Sequence, residues 1–434
     1  MNHTHWDPRS RRPLFYMPKS PKKYLIVGTI EPMTERIISK HPYDQSREFT
    51  FLLRDQPLHV LSKAGFPHWD RITSACQLLA ENVRLIPTDR VLLMGSGHGA
   101  LAVCLARQIP QGCLRVADAS LICIRLTAQT LQANAIQNAQ VYDRFPFPYE
   151  NPGWFDKVII ELPKGRKLAR RWLVEAYSAL KIGGSLYLAG PNLEGIQPAI
   201  RDAAELFGNS LLLSYQKSNR IARSTKGENH PDAELRPSWA SEPGIQPGTW
   251  YTFHTVIRGK AYLIHSLPGV FSYDEIDEGT QLLIENLLVP NGAKVLDFGC
   301  GYGIIGMVAS NLGASQVDLV DANIMAVASA QESIHRNGLA RISAFSGDGL
   351  AWAEDHSYDL LVSNPPFHNG KDVEFAVAET FIEQAQRVLK NHGKLILVAN
   401  RFLRYDRQMQ TCFGNIEILA HTNHFHLLSS NKKP

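Results

Sequence analysis

The tetrapeptide Asn364-Pro365-Pro366-Phe367 follows the apolar run Leu360-Leu-Val362 and ends it abruptly. Asn364 brings an amide oxygen that can accept a hydrogen bond. Pro365 brings a carbonyl with no N–H beside it, and the paired prolines fix the direction of both acceptors. Phe367 adds a flat apolar face. Two aimed acceptors and a stacking ring suit a planar substrate with an exocyclic amino group. The neighbouring His368 is read as a loop histidine and left out of the catalytic set, since a proton released from such an amine can pass to water.

A second group lies upstream, in Asp297-x-Gly299-x-Gly301-x-Gly303. Glycines after a strand let the backbone approach a ligand closely at the carboxyl end of an α/β sheet. Their spacing is not that of the G-x-G-x-x-G dinucleotide fingerprint, and no Walker lysine is present. Asp321 comes about 20 residues on, after the strand Gln316-Val-Asp-Leu-Val320, where a carboxylate can take both hydroxyls of a ribose. Asp348, in Ser346-Gly-Asp-Gly349, is placed to accept from an adenine amino group. Taken alone, Asp321 would read as a helix cap and Asp348 as a turn residue. In combination they describe a site for an adenosine ligand without pyrophosphate, and S-adenosylmethionine fits it. Cys300 reads as a small loop residue because nothing basic flanks it.

The elements that must position these groups alternate between strand and helix, which predicts parallel sheets covered by helices. The alternation occurs twice. Val91-Leu-Leu-Met-Gly-Ser-Gly-His-Gly99 matches Val295-Leu-Asp-Phe-Gly-Cys-Gly-Tyr-Gly303 at an offset of 204, Asp118 matches Asp321, and Phe155 to Pro163 matches Tyr358 to Pro366 at an offset of 203. The fold is expected to be duplicated and the chemistry is not. The first copy has Leu93 in place of Asp297, and Glu161-Leu162-Pro163-Lys164 in place of the acceptor tetrapeptide. The expected organisation is a basic arm over 1–45, a degenerate domain over 46–215, a linker over 216–248 where Ser, Asn, Pro and Gly collect, and a catalytic domain over 249–434. A hairpin around Arg258-Gly259 and a helix near 277–288 should precede the second glycine loop.

The glycine loop with a downstream N-P-P-F resembles the class I methyltransferases that act on exocyclic or amide nitrogens. Leu267-Pro-Gly-Val-Phe-Ser272, Asp277-x-Gly279, Asn364-Pro-Pro-Phe-His368 and Val398-Ala-Asn400 are more narrowly similar to the ribosomal RNA guanine-N2-methyltransferases. That resemblance implies two tandem Rossmann-like domains, each a mostly parallel sheet flanked by helices, with only the second active. It implies that Asp297, Gly299, Gly301 and Gly303 bind S-adenosylmethionine, the glycines lining its methionine and ribose part. Asp321 would hold the ribose and Asp348 the adenine. Asn364 and Pro365 would accept the two hydrogens of a guanine N2 amino group while Phe367 stacks on the base; Phe271 and Asp277 are candidates for a cofactor lid, with a packing role the alternative for Phe271. One departure from the family is His426, where a lysine is more usual, and the long basic arm is another.

Composition narrows the partners. The 434 residues are 44% hydrophobic and 20% charged, and 45 Lys+Arg against 41 Asp+Glu leave only +4, so contact with ribosomal RNA or a ribosomal subunit must come from local patches. Residues 1–50 hold nine Lys/Arg against five acids, and residues 387–434 eight against two. The six cysteines form no C-x-x-C and no metal-ligand cluster, which argues against zinc or a disulfide framework and for a reducing cytoplasm. No apolar stretch suggests a membrane span. Two other functions suit parts of this pattern: methyl transfer to adenine N6 or a glutamine amide, and a non-catalytic RNA-binding role in ribosome assembly. The duplication weighs against the first, and the intact Asp297, Asp321 and Asn364 against the second.

Overall fold

A computed structural model of the chain describes residues 46–63, 68–147, 152–228, 236–365 and 371–434, the stretch 371–378 by its backbone alone. The basic arm and Phe367 lie outside the described residues. The first half opens with a hairpin, β1 (Ser46–Leu53) and β2 (Gln56–Lys63), turned by Arg54 and Asp55, both at positive φ. It continues through α1 (Ser74–Asn82), β3 (Arg90–Met94), α2 (Ala100–Gln108), β4 (Cys113–Ala117), α3 (Leu121–Ala133), β5 (Ala139–Val141), β6 (Phe155–Glu161), α4 (Arg166–Ala179), β7 (Leu180–Pro191), α5 (Ile196–Phe207), β8 (Leu211–Gln216) and β9 (Asn219–Thr225). The second half repeats the series. Its hairpin is β10 (Tyr251–Ile257) with β11 (Lys260–Ser266), then α6 (Glu278–Asn286), β12 (Lys294–Phe298), α7 (Ile304–Asn311), β13 (Gln316–Asp321), α8 (Ile324–Arg336), β14 (Ile342–Ser346), β15 (Tyr358–Ser363), α9 (Lys371–Val388), β16 (Leu389–Asn400), α10 (Tyr405–Phe413), β17 (Glu417–His421) and β18 (Phe425–Asn431).

The two seven-stranded sheets have one topology, β5-β4-β3-β6-β7-β9-β8 and β14-β13-β12-β15-β16-β18-β17. The first five strands of each are parallel, and the sixth, β9 or β18, runs antiparallel to both its neighbours. Central strands covered on both faces need apolar residues at successive positions, as in Val91-Leu-Leu-Met94 and Leu360-Leu-Val362, all of them buried. Small polar devices recur as well. The Asp156 carboxylate receives the Arg90 N–H at 2.8 Å, and Asp359 receives that of Lys294 at 2.8 Å. Asn134 ends α3 and bonds both backbone groups of His59 in β2. Asn337 ends α8 and bonds both of Leu263 in β11, so each hairpin is clamped to its helix by one amide.

The expected linker over 216–248 is corrected in its described parts. β9 lies inside it and completes the first sheet, with Ile221 and Ala222 buried against β7 and β8. Further on, Trp239 is buried, donates from Nε1 to Glu205 at 2.9 Å and carries the Arg170 guanidinium 4.8 Å above its ring. The polar composition conceals this packing, because β9 has only two core residues among Asn, Arg, Ser and Thr.

The halves meet through the segments after β4 and β13. The Leu121 N–H donates to the Ala322 carbonyl at 2.8 Å and the Ile324 N–H to the Ala119 carbonyl at 2.9 Å, around an antiparallel bridge between Ser120 and Asn323. This reciprocal pairing is the pattern of a two-fold contact between equivalent surfaces. One apolar cluster runs through both halves, from Leu92 and Trp172 to Val295 and Val398. The carboxyl ends of the two sheets therefore open on a common cavity of about 950 Å³.

Candidate active site

The glycine loop after β12 is held from below. The N–H groups of Gly299 and Cys300 donate to the Val320 carbonyl at 2.8 and 3.1 Å, and Gly299 and Gly301 have φ of 72° and 55°. A Cβ built on Gly299 meets nothing within 4 Å, and one on Gly301 meets only Val270 Cγ1 at 3.9 Å. Both glycines line the cavity. Gly303 does not. Its added Cβ would lie 2.9 Å from Leu319 and 3.0 Å from Ala330, so this glycine lets α7 pack closely on β13 and α8. The expected ligand contact at Gly303 is corrected to a packing role.

Asp321 closes β13 and lines the cavity, with Oδ2 receiving the Gly301 N–H at 2.9 Å and Oδ1 the Asn323 N–H at 2.8 Å. Burial raises its pKa against the lowering effect of these backbone donors. Asp297 lies beneath the loop, fully buried and outside the cavity lining. Its Oδ2 accepts from the Gly306 N–H of α7 at 2.9 Å, Oδ1 has no hydrogen-bond partner among the described residues, and burial pushes its pKa up to about 7. A contact between Asp297 and a ligand in the cavity is thus replaced by a hold on the first turn of α7. Asp348 lines the cavity and accepts from the Lys63 ammonium, which arrives from β2 of the other half. An open glycine cradle, a carboxylate on β13 and a second acid after β14 fit an adenosine ligand bearing an amino acid.

Asn364 stands at the end of β15, buried and on the cavity wall. Its Nδ2 donates to Asp277 Oδ2 at 3.1 Å and to Thr280 Oγ1 at 3.0 Å. An ionised carboxylate only accepts, so Asp277 requires the NH₂ side of the amide and turns Oδ1 away from α6. That oxygen is buried with no hydrogen-bond partner among the described residues. Asp277 is held in turn as the N-cap of α6, accepting from the N–H groups of Gly279 and Thr280 at 3.0 and 3.3 Å. Asp277 lines the cavity, as does Phe271, and it also orients Asn364. Thr280 and the orienting role of Asp277 were not anticipated from sequence, although a cap residue three positions before a threonine was visible there. Among the described residues no group of three or more His, Cys, Asp or Glu is placed to hold a metal ion, and no helix is long and apolar enough to cross a membrane.

The methyltransferase small domain model matches residues 57–221 and again 261–429. The ribosomal RNA small subunit methyltransferase C of Shewanella piezotolerans is 31% identical over 368 residues, covering 83% of this chain and all of that protein. The Psychromonas ingrahamii protein of the same name is 36% identical over 285 residues, 65% of this chain and 77% of its own length. This chain belongs to the ribosomal RNA guanine-N2-methyltransferase family. A solved T. thermophilus 16S rRNA N2 G1207 methyltransferase, in complex with AdoMet and guanosine, superposes with a TM-score of 0.71 at 27% identity, over 89% of this chain and 98% of that one.

Within the same scaffold the first half differs at the positions equivalent to the glycine loop, Asp321 and Asn364, although Gly95, Ser96 and Asp118 also line the cavity. A Cβ built on Gly95 would lie 2.9 Å from the Glu161 carbonyl oxygen and 3.3 Å from Trp172, whereas the space at the equivalent Gly299 is open. Asp118, the counterpart of Asp321, is tied down by both the N–H and the hydroxyl of Ser96, at 2.7 and 3.0 Å. Where the second half pairs Asp277 with Asn364, the first pairs Thr73 with Glu161, Oγ1 donating at 2.7 Å. Burial pushes Glu161 up to about 7.

Proposed function

We propose that the second half transfers a methyl group from S-adenosylmethionine to the N2 amino group of a guanine in small-subunit ribosomal RNA, the one corresponding to G1207 of the T. thermophilus relative. The observation that carries this reading at the level of residues is the buried, unpartnered Asn364 Oδ1, fixed in direction by Asp277 and Thr280. In this reading Asn364 Oδ1 and the Pro365 carbonyl accept the two N2 hydrogens, and Phe367 stacks on the base. Gly299 and Gly301 allow the cofactor's close approach, Asp321 receives its ribose hydroxyls, and Asp348, steadied by Lys63, faces its adenine. Gly303 and Asp297 shape the loop from behind. The bound cofactor supplies an electrophilic methyl on a positively charged sulfur.

The chain's contribution is orientation. Two acceptors on the amino hydrogens hold the N2 lone pair toward the methyl and favour the geometry in which it is more nucleophilic. Fixing nucleophile and electrophile in line supplies most of what such a displacement needs, without a covalent enzyme intermediate. The proton lost from N2 passes to water. A paired guanine has its N2 group engaged, so the target must be unpaired or turned out of its helix. The first half, bounded by β1 and β9, would serve RNA binding and support the cavity, in the cytoplasm where ribosomal subunits are made.

Incubation with labelled S-adenosylmethionine and naked RNA, assembled subunits or DNA, followed by nucleoside analysis, tests the proposal. N2-methylguanosine in small-subunit RNA is the expected product. Label in adenine, in protein or in nothing would overturn it.

A further inference from the structure

Phe402 is 88% exposed. It lies in a turn after β16 pinned by three bonds: the Phe402 N–H to Asn400 Oδ1 at 3.2 Å, the Leu403 N–H to the Asn400 carbonyl at 2.8 Å, and the Arg401 N–H to the His424 carbonyl at 2.9 Å. The turn sits beside the acceptor. Ser363 is in register with Leu397, which sets Asn364 level with Val398, and both approach Gly279, at 3.4 and 3.0 Å from a Cβ built there. Four residues of chain reach at most about 14 Å beyond Val398. The turn also closes back on α6, since His424 Nδ1 meets Glu278, the neighbour of Asp277, at 2.9 Å. Phe402 is nevertheless not part of the cavity lining, so it does not stack on a base inside.

The duplication supplies an internal comparison. Glu161 pairs with Ala189 as Asn364 is level with Val398, which makes Leu193 the counterpart of Phe402. Leu193 is also exposed, at 98%, so the fold presents a side chain to solvent here in both halves. Only the half that carries the acceptor has an aromatic ring at this point, between exposed Arg401 and Arg404, where the first half has Asn192 and Gly195. An exposed ring between guanidinium groups suits the stacked bases and phosphates of RNA.

We propose that Phe402 is a wedge: it enters the base stack beside the target guanine and occupies the place the base leaves when it turns into the cavity, with Arg401 and Arg404 on the flanking phosphates. The inference rests on the RNA-guanine reading above. Unstacking a paired base costs a few kcal/mol, and an inserted apolar side chain offsets part of that cost. Phe402→Ala should therefore lower kcat/KM about tenfold or more on an RNA whose target guanine is paired, and less than about threefold when it is mismatched or single-stranded. Phe402→Trp should restore the loss, and cofactor affinity should not change.

A second readout is independent of methyl transfer. With 2-aminopurine next to the target guanine, binding of the full-length protein should raise its fluorescence, and Phe402→Ala should abolish the rise while the RNA still binds. Equal losses on paired and unpaired RNA, no loss on either, or an unchanged fluorescence rise in the variant would each overturn the wedge. Absence of N2 methylation by the unmodified protein would overturn the functional reading instead, and the fluorescence result would still decide the wedge.

Discussion

Asn364 is useful to the proposed reaction only if its oxygen points at the substrate, and its own backbone does not dictate that. Asp277 and Thr280, on a helix more than 80 residues upstream, turn the amide. Replacing Asn364 by Ala should cut methyl transfer by about a hundredfold or more with cofactor affinity within about twofold, as expected when an aimed polar group acts mainly in the transition state. Thr280→Val removes one of the two groups holding the amide and should cost less, about tenfold, in kcat rather than KM. Steady-state kinetics with a cofactor titration separates the two. Asn364 was legible because its neighbours in sequence announce it, whereas Asp277 acquires its role only when α6 and β15 are brought together. Asp297 gives a prediction in pH. Its carboxyl, raised to about 7 by burial, binds a proton in the folded chain between about pH 4 and pH 7 that the unfolded chain has released. Its contribution to stability is complete below the unfolded value near 4 and falls as pH rises through about 7, at most about 1.4 kcal/mol per pH unit. Burial lowers His98 and His265 and works in the opposite sense, so the test compares proteins: from pH 5.5 to 8, Asp297→Asn should lose less stability to urea than the unmodified chain.

At the scale of elements, the glycine loop divides into positions facing the cavity and one facing the core. Gly303→Ala would force a side chain at φ 87° against Leu319 and Ala330, and should lower stability by about 2 to 3 kcal/mol, seen as a fall in Tm. Gly301→Ala, also at positive φ but open toward the cavity, should lower cofactor affinity more than its smaller effect on Tm explains. Equal effects of the two substitutions on both measurements would show that the division is wrong. The three glycines look equivalent in sequence, because spacing records the turn and not what each missing side chain would touch. The same limit explains β9. An antiparallel strand next to the sheet edge needs few core residues, and its Arg, Ser and Thr positions imitate a linker. The parallel strands, covered on both faces, announce themselves as apolar runs. The Asn134 and Asn337 clamps lay at equal spacing in both copies and were visible only as helix-ending asparagines.

The whole molecule is a duplicated fold whose halves pack through equivalent surfaces, as a two-fold dimer would, with the carboxyl ends of both sheets on one cavity. Each half therefore shapes the other's pocket, and Lys63 reaching Asp348 is one such contact. Lys63→Met would leave the Asp348 carboxylate without that ammonium and should weaken S-adenosylmethionine binding. Such an arrangement has the geometry for two cofactor sites, and the first half shows two reasons why it should have one. The Glu161 backbone and Trp172 crowd the loop at Gly95, and Ser96 holds the Asp118 carboxylate with both its hydrogen-bond donors, so the open cradle is not repeated and the carboxylate, though on the cavity wall, carries a side-chain donor that Asp321 lacks. Equilibrium dialysis of the full chain should give one S-adenosylmethionine bound per protein. Asp321→Ala should remove it without revealing a weaker second site, while Asp118→Ala should leave both number and affinity unchanged. A stoichiometry of two, or binding that survives Asp321→Ala and disappears with Asp118→Ala, would mean that the first half kept a working pocket despite the crowding at Gly95.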